Sequence, residues 1–174
     1  MRAGTLLFRR LGLAVCLLTT PIHAATANPT RAMQAFADNC FRPTMTAARA
    51  KSVLPHAGTR YDFYDLDPFV RSNAPSPALK RAVTPNTDRR CEVSFDGIAT
   101  DAAAKAAARG LRQEGIRKSA PIPPAYANIN GATFVGARQL NPRRVAVVIV
   151  GTRAGPNGVE TYMTVERLRP TGGN

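Results

Sequence analysis

Hydrophobic and polar positions alternate most clearly in the last third of the chain. Residues 133–140, 145–150 and 159–168 are three runs rich in β-branched and aromatic residues. They are joined by Asn141-Pro142-Arg143 and by a loop that contains Asn157-Gly158, a typical hairpin sequence. The pattern predicts a three-stranded antiparallel meander. In the middle run, residues 145–150 are apolar at every position, which predicts a strand covered on both faces at the centre of the sheet.

Nearer the N-terminus, between residues 30 and 54, apolar residues recur at the spacing of a helix and not at the alternate positions of a strand. From Thr30, a candidate cap, apolar residues recur on one helical face as far as Phe41, and Pro43 ends the pattern. A second short helix is predicted to begin at Thr44 or Thr46 and to end before Pro55.

A strand and a third helix follow. Residues 91–96 alternate as a half-buried strand that ends at Gly97. Thr100 is a candidate cap for an alanine-rich helix, with Asp101 in its first turn, that ends at Gly115. We therefore predict an α+β fold: an antiparallel sheet of four or five strands, covered by the alanine-rich helix and the N-terminal helices.

Residues 55–90 carry five prolines and show no clean period, apart from a short alternation at Tyr61, Phe63 and Asp65. This composition predicts a long irregular loop. At 174 residues the chain has room for one core. We expect a single domain over 28–170 and a flexible tail over 171–174.

The N-terminus has the features of an export signal. Arg2, Arg9 and Arg10 precede a short apolar run at 11–18, and Ala25-Thr26-Ala27 is a typical cleavage site. Residues 1–27 are thus predicted to be a signal peptide, with an uncleaved anchor as the alternative. No later stretch reaches membrane length, so the mature chain is expected in the periplasm or secreted, without a transmembrane segment.

Cys40 and Cys91 are the two cysteines that follow the predicted signal peptide. In an oxidising compartment such a pair is most simply a disulfide. The alternative is a reactive thiol pair, although the spacing is not that of a C-x-x-C motif.

The charge is strongly unbalanced, with 24 Lys and Arg against 11 Asp and Glu and a net charge of +13. In the predicted meander, residues 143 and 144 would face Arg167 and Glu166, which gathers arginines at one end of the sheet with Glu166 as their only close counter-charge. Arginine offers a planar fork for phosphate or carboxylate. The candidate anion-binding residues are Arg138, Arg143, Arg144, Arg167 and Arg169.

The expected function is a non-enzymatic exported module that binds an anionic envelope partner through this basic sheet end. Anionic lipid, an acidic glycan and an acidic protein all fit the compartment. Nucleic acid is disfavoured because an exported protein seldom meets it, and because no recognition helix or basic-aromatic stacking motif occurs. A basic sheet end that is merely solvated is the alternative.

Candidate catalytic residues are few. His56 lies in a turn, and Asp62, Asp65 and Asp67 form an acidic cluster that does not fit the EF-hand pattern. No cofactor motif or zinc spacing is found. The competing hypothesis is a small hydrolase or metal-dependent enzyme that uses the aspartates with His56; alternatively, these acids balance nearby arginines.

Three segments resemble small exported proteins of alphaproteobacteria that carry one cysteine pair: FADNC at 36–40, RCEVSFDG at 90–97 and NPRRVAVV at 141–148. The resemblance implies export and the Cys40–Cys91 disulfide. It supplies no catalytic residues, since no activity is established for that group.

Overall fold

The computed structural model describes residues 28–56, 58–66 and 82–169. These residues form three α-helices and a six-stranded sheet. The helices are α1 (Pro29–Asn39), α2 (Ala47–Val53) and α3 (Thr100–Gln113). The strands are β1 (Thr59–Asp65), β2 (Thr87–Asp96), β3 (Ser119–Ala120), β4 (Ala132–Asn141), β5 (Arg144–Gly155) and β6 (Gly158–Leu168). The predicted signal peptide, Asp67 and the predicted tail lie outside the described residues.

All neighbouring strands are antiparallel, in the order β1-β2-β6-β5-β4-β3. The α+β class and the meander, formed by β4, β5 and β6, are confirmed. The predicted strand count of four or five is too low, because Ser119–Ala120 adds a short edge strand beside β4. Residues 55–90 are less irregular than predicted, since they contain all of β1 and the first residues of β2.

The sheet is covered on both faces, as the apolar middle run predicts. On the helical face, Ala146, Val148 and Val150 of β5 pack with the buried sides of α1 and α3. On the opposite face, Val147 and Ile149 pack against Tyr126, which lies in a 3₁₀ turn of the segment between β3 and β4. The segment at residues 121–131 therefore covers part of the face that the helices leave open.

Helix starts differ from the sequence prediction at two of three sites. Asn28, not Thr30, caps α1 by accepting a hydrogen bond from the Arg31 backbone N–H, with Pro29 at the first helical position. Thr46 caps α2 as predicted. No side chain of α3 itself caps that helix; instead the buried Thr161 hydroxyl of β6 accepts from the Ala99 N–H at 2.9 Å.

The cysteine prediction is confirmed. Cys40 follows the last turn of α1 and Cys91 lies on the helical face of β2, and their sulfur atoms form a disulfide across a sequence separation of 51. Both residues are buried in the main core. No helix among the described residues is long and apolar enough to cross a bilayer.

Close packing of α1 on α3 depends on Gly110. A Cβ atom at this position would lie 2.4 Å from the Phe41 ring and 2.6 Å from the Ala37 carbonyl oxygen. In an exposed helix interior, Gly→Ala stabilises by about 1 kcal/mol. Here the added methyl group must push the helices apart, a type of overpacking that costs about 1 to 3 kcal/mol.

We therefore expect Gly110→Ala to lower the free energy of unfolding, measured by urea denaturation. Its neighbour Arg109→Ala, at an exposed position of the same helix, is the control and should change stability by less than about 0.5 kcal/mol. A more stable Gly110→Ala variant would show that the helices do not approach as closely as described.

Candidate functional site

Arginine and aspartate side chains form a connected network at one end of the sheet, on its helical face. Asp65 of β1 accepts from Arg89 Nε at 2.5 Å and from Arg167 Nη2 at 3.0 Å. Asp88 accepts from Arg167 and from Arg144. The network ties β1, β2, β5 and β6 together at this end.

Arg89 is the most enclosed cation of this network. Besides Asp65, its guanidinium donates to the backbone carbonyls of Arg42 and Pro43, each at 3.1 Å, in the segment between α1 and α2. Burial and the neighbouring Arg167 charge lower the pKa of Arg89, while Asp65 opposes this shift. The residue therefore fixes the α1–α2 connection to the sheet.

A second ionic network lies on the opposite face of the sheet. Arg60 donates to Asp96 at 2.7 Å and to Glu160 at 2.8 Å, and Arg153 bridges Glu160 and Glu92 at 2.6 Å each. Burial alone lowers the pKa of Arg153, but Glu92 and Glu160 outweigh this effect, so the pKa is raised. Thus Arg153 stays a cation between two buried carboxylates.

The deepest pair on this face joins Asp62 to Arg90. Asp62 is fully buried, and its Oδ2 accepts from Arg90 Nε at 2.8 Å. The Arg90 guanidinium is 2% exposed, lies 4.8 Å from the centre of the Tyr64 ring and also donates to Thr84 Oγ1 at 3.0 Å. Removing either charge of such a buried pair is strongly destabilising, because the other charge is then buried without a counter-charge.

Most acidic residues in the described ranges have their charge compensated by an arginine. Apart from Asp38 and Asp101, every acidic residue within the described ranges is ion-paired with an arginine. Ten exposed lysines and arginines, and the partly buried Arg138, have no ion pair within those ranges. They are Arg31, Arg49, Lys51, Lys105, Arg109, Arg112, Arg117, Lys118, Arg138, Arg143 and Arg169. Over the described part of the chain, the charge that faces solvent is therefore predominantly positive.

The register places the five predicted arginines at one end of the sheet. Arg138 pairs with Ala146, and Ala146 pairs with Arg167, so these side chains share a cross-strand row. Arg143 lies in the exposed turn between β4 and β5, Arg144 begins β5, and Arg169 follows β6. A recess of about 420 Å³ at that turn is lined by Asn141, Pro142, Arg143 and Arg144.

Two details of the sequence prediction are wrong. Residues 143 and 144 do not face Arg167 and Glu166. The turn between β5 and β6 contains only two residues, 156 and 157, and this register pairs Ala146 with Arg167 and Val147 with Glu166. Glu166 is not the only close counter-charge, since Asp88 pairs with Arg144 and Arg167, and Asp65 also pairs with Arg167. Two of the five candidates are therefore neutralised from within.

Two further cations belong to the same end of the sheet. Ser119 of β3 pairs with Arg138, and the Gln139 N–H donates to the Lys118 carbonyl, so Arg117 and Lys118 lie beside β4 there. Both are exposed. We use the name cationic rim for Arg117, Lys118, Arg138, Arg143 and Arg169. Arg117 and Lys118 could not be predicted from the sequence, because a strand of two residues is too short to show a hydrophobic period.

The structure does not bring together the candidate catalytic residues that it describes, which are His56, Asp62 and Asp65. Asp62 and Asp65 are fully buried in the two ionic networks, on opposite faces of β1. His56 lies exposed before the other end of that strand, where its backbone N–H donates to Thr59 Oγ1. Within the described ranges, no three His, Cys, Asp or Glu side chains are grouped so that they could hold a metal ion.

Comparisons with protein-family models, with curated proteins and with solved structures found no match. The resemblance to small exported proteins of alphaproteobacteria stays a prediction. Any function must therefore be argued from the side chains described above.

Proposed function

We propose that the protein is an exported, non-enzymatic binding module whose cationic rim contacts a phosphate-bearing anionic surface of the cell envelope. The observation that carries the proposal is the separation of charge within the described residues: buried arginines take up the carboxylates, and four of the ten exposed cations without an ion pair lie together at one end of the sheet, beside the partly buried Arg138. Like charges at such density favour an anionic partner that relieves their repulsion.

Arg144 and Arg167, which are ion-paired, lie close to rim residues in the sequence. Asp88 holds the guanidinium groups of Arg144 and Arg167 in place, beside the exposed Arg143 and Arg169. The turn that carries Arg143 is held by a hydrogen bond from the Arg143 backbone N–H to Asn141 Oδ1 at 3.0 Å. The exposed arginines offer planar forks that suit phosphate groups, each of which can accept two parallel hydrogen bonds.

The Cys40–Cys91 disulfide supports the proposed export, since such bridges persist in oxidising compartments. Acidic glycans and acidic proteins are the alternative partners, and a sulfated glycan in the experiment below separates the first of these from anionic lipid. The competing hydrolase hypothesis has no such support, because Asp62 and Asp65 are occupied by arginines.

The test is binding to vesicles of phosphatidylglycerol and phosphatidylcholine in sedimentation. We expect the triple variant Arg117→Ala/Lys118→Ala/Arg143→Ala to bind at least tenfold more weakly than the natural sequence, because three rim cations are removed. The matched control is Arg49→Ala/Lys51→Ala/Lys105→Ala, which removes the same charge from α2 and α3.

Equal losses in the two triple variants would show that net charge alone drives binding, and would contradict a rim site. Binding to a sulfated glycan but not to the vesicles, with the same dependence on the rim, would move the proposal to a glycan partner.

A further inference from the structure

A cleft of about 540 Å³ lies on the face of the sheet opposite the helices. Its floor is formed by β2, β5 and β6, one wall by residues 84–86, and the other wall by residues 125–130. This volume is within the range of small-molecule sites. The function proposed above does not use the cleft.

The floor carries charged groups that are almost completely buried. Glu92 and Glu166 are 1% and 5% exposed, and both line the cleft together with Arg153 and Thr164. Thr164 Oγ1 donates to Glu92 Oε2 at 2.8 Å. Arg153, the cation of the cleft lining, is shared between Glu92 and Glu160.

Glu166 has an unusual set of donors for a buried carboxylate. Its Oε1 accepts from the Thr84 hydroxyl and its Oε2 from the Tyr126 hydroxyl, both at 2.6 Å. The nearest guanidinium nitrogen, Nη1 of Arg90, lies 3.7 Å away, and Arg90 is committed to Asp62 at shorter distance. The counter-charge of Glu166 is therefore distant and shared with Asp62, so a closer positive charge would stabilise this buried carboxylate further.

The walls supply apolar contact beside these polar groups. Ile129 and Ile149 pack with Tyr126 and Tyr162, and all four residues line the cleft. The Arg153 guanidinium lies 4.9 Å from the centre of the Tyr162 ring, which holds the arginine against the floor. Burial and the Glu166 charge raise the pKa of Tyr126, so its hydroxyl remains a proton donor to Glu166.

We infer that this cleft binds a small organic cation, with an ammonium or guanidinium group at Glu166 and an apolar body against Ile129 and Ile149. Two carboxylates line the floor, and the guanidinium groups that pair with them, those of Arg153 and Arg90, are each shared with another carboxylate. A cation bound there would add a second counter-charge to Glu166, beside the Arg90 guanidinium at 3.7 Å.

The test is calorimetric titration of the natural protein with three probes of similar shape: phenethylamine, 2-phenylethanol and phenylacetate. We expect the amine to bind at least tenfold more tightly than the alcohol or the acid. Glu166→Gln keeps the shape of the side chain but removes its charge, and should weaken amine binding at least tenfold. The control is Glu114→Gln, which lies outside the cleft and should leave binding unchanged.

A second variant is needed because Glu166→Gln changes a buried residue and could prevent folding. Asn130 is exposed on the cleft wall, so Asn130→Lys should place a positive charge near the ligand without disturbing the core. It should also weaken amine binding, whereas Asn157→Lys, in the β5–β6 turn, should not. Equal affinity for amine and alcohol, or no binding of the amine, would overturn the inference.

Discussion

Replacing Asp62 by Asn is expected to lower the free energy of unfolding by about 3 to 5 kcal/mol. The substitution keeps the size of the side chain but leaves the Arg90 guanidinium, 2% exposed, without its closest counter-charge. This is a large part of the total stability of a typical domain, about 5 to 15 kcal/mol. The measurement is urea denaturation followed by far-ultraviolet circular dichroism. Asp38→Asn is the control, because Asp38 has no ion pair among the described residues, and it should cost less than about 0.5 kcal/mol.

A double variant tests whether the cost of Asp62→Asn comes from an orphaned charge. In Asp62→Leu/Arg90→Met both charges are replaced by apolar side chains, so neither is left buried alone. We expect this double variant to be more stable than Arg90→Met, which leaves the Asp62 carboxylate without its arginine. A loss below about 1 kcal/mol in Asp62→Asn would contradict the described pairing.

The second large effect concerns the disulfide. Cys40→Ala/Cys91→Ala is expected to destabilise the protein by about 4 kcal/mol, because the bridge closes a loop of about 50 residues in the unfolded chain. The measurement is urea denaturation of the variant beside the natural protein, with and without dithiothreitol. Reduction should destabilise the natural protein to a similar extent and leave the variant unchanged.

Alkylation of the unreduced protein provides an independent check on the bridge. When the protein is unfolded in urea without a reductant, peptide mapping should still find Cys40 and Cys91 unmodified, because a disulfide has no thiol to alkylate, whereas buried free thiols would become accessible. Alkylated Cys40 or Cys91 in unreduced protein would contradict the disulfide.

The sequence is informative where packing follows simple periodicity. The run at 145–150 is apolar on both sides, and β5 is indeed buried on both faces. The alanine spacing of residues 100–113 predicts a helix that packs closely, and α3 does so through Ala103, Ala107 and Gly110. In β5 and α3, the residues that favour the secondary structure are also those that pack in the core, so the sequence pattern predicts both.

The sequence is misleading where polar residues are buried. Alternation in β2 suggests that Glu92 and Ser94 face solvent, yet both are buried because the second ionic network covers that face. The sequence does contain charges of opposite sign that could have indicated buried ion pairs, since β1, β2 and β5 carry arginine and β2 and β6 carry glutamate. Which of these charges meet depends on strand order, and a pattern within single strands does not contain that information.

The candidate site was predictable in part for the same reason. Hairpin sequences indicated that arginines of β4, β5 and β6 gather at one end of the sheet, and the register places them there. Their neutralisation by Asp65 and Asp88 depends on β1 and β2, which are distant in the sequence. The contribution of Arg117 and Lys118 depends on the pairing of β3 with β4, which spans two residues on each strand.

The central claim is that exposed rim cations, and not net charge, bind the anionic partner. It is tested most directly by vesicle binding over a range of sodium chloride concentrations, because each cation that contacts the anionic surface adds to the salt dependence. We predict that the logarithm of the affinity falls steeply with that of the salt concentration in the natural protein and in the α2 and α3 control variant. The fall should be clearly shallower in Arg117→Ala/Lys118→Ala/Arg143→Ala. Identical slopes for all three proteins would contradict the account.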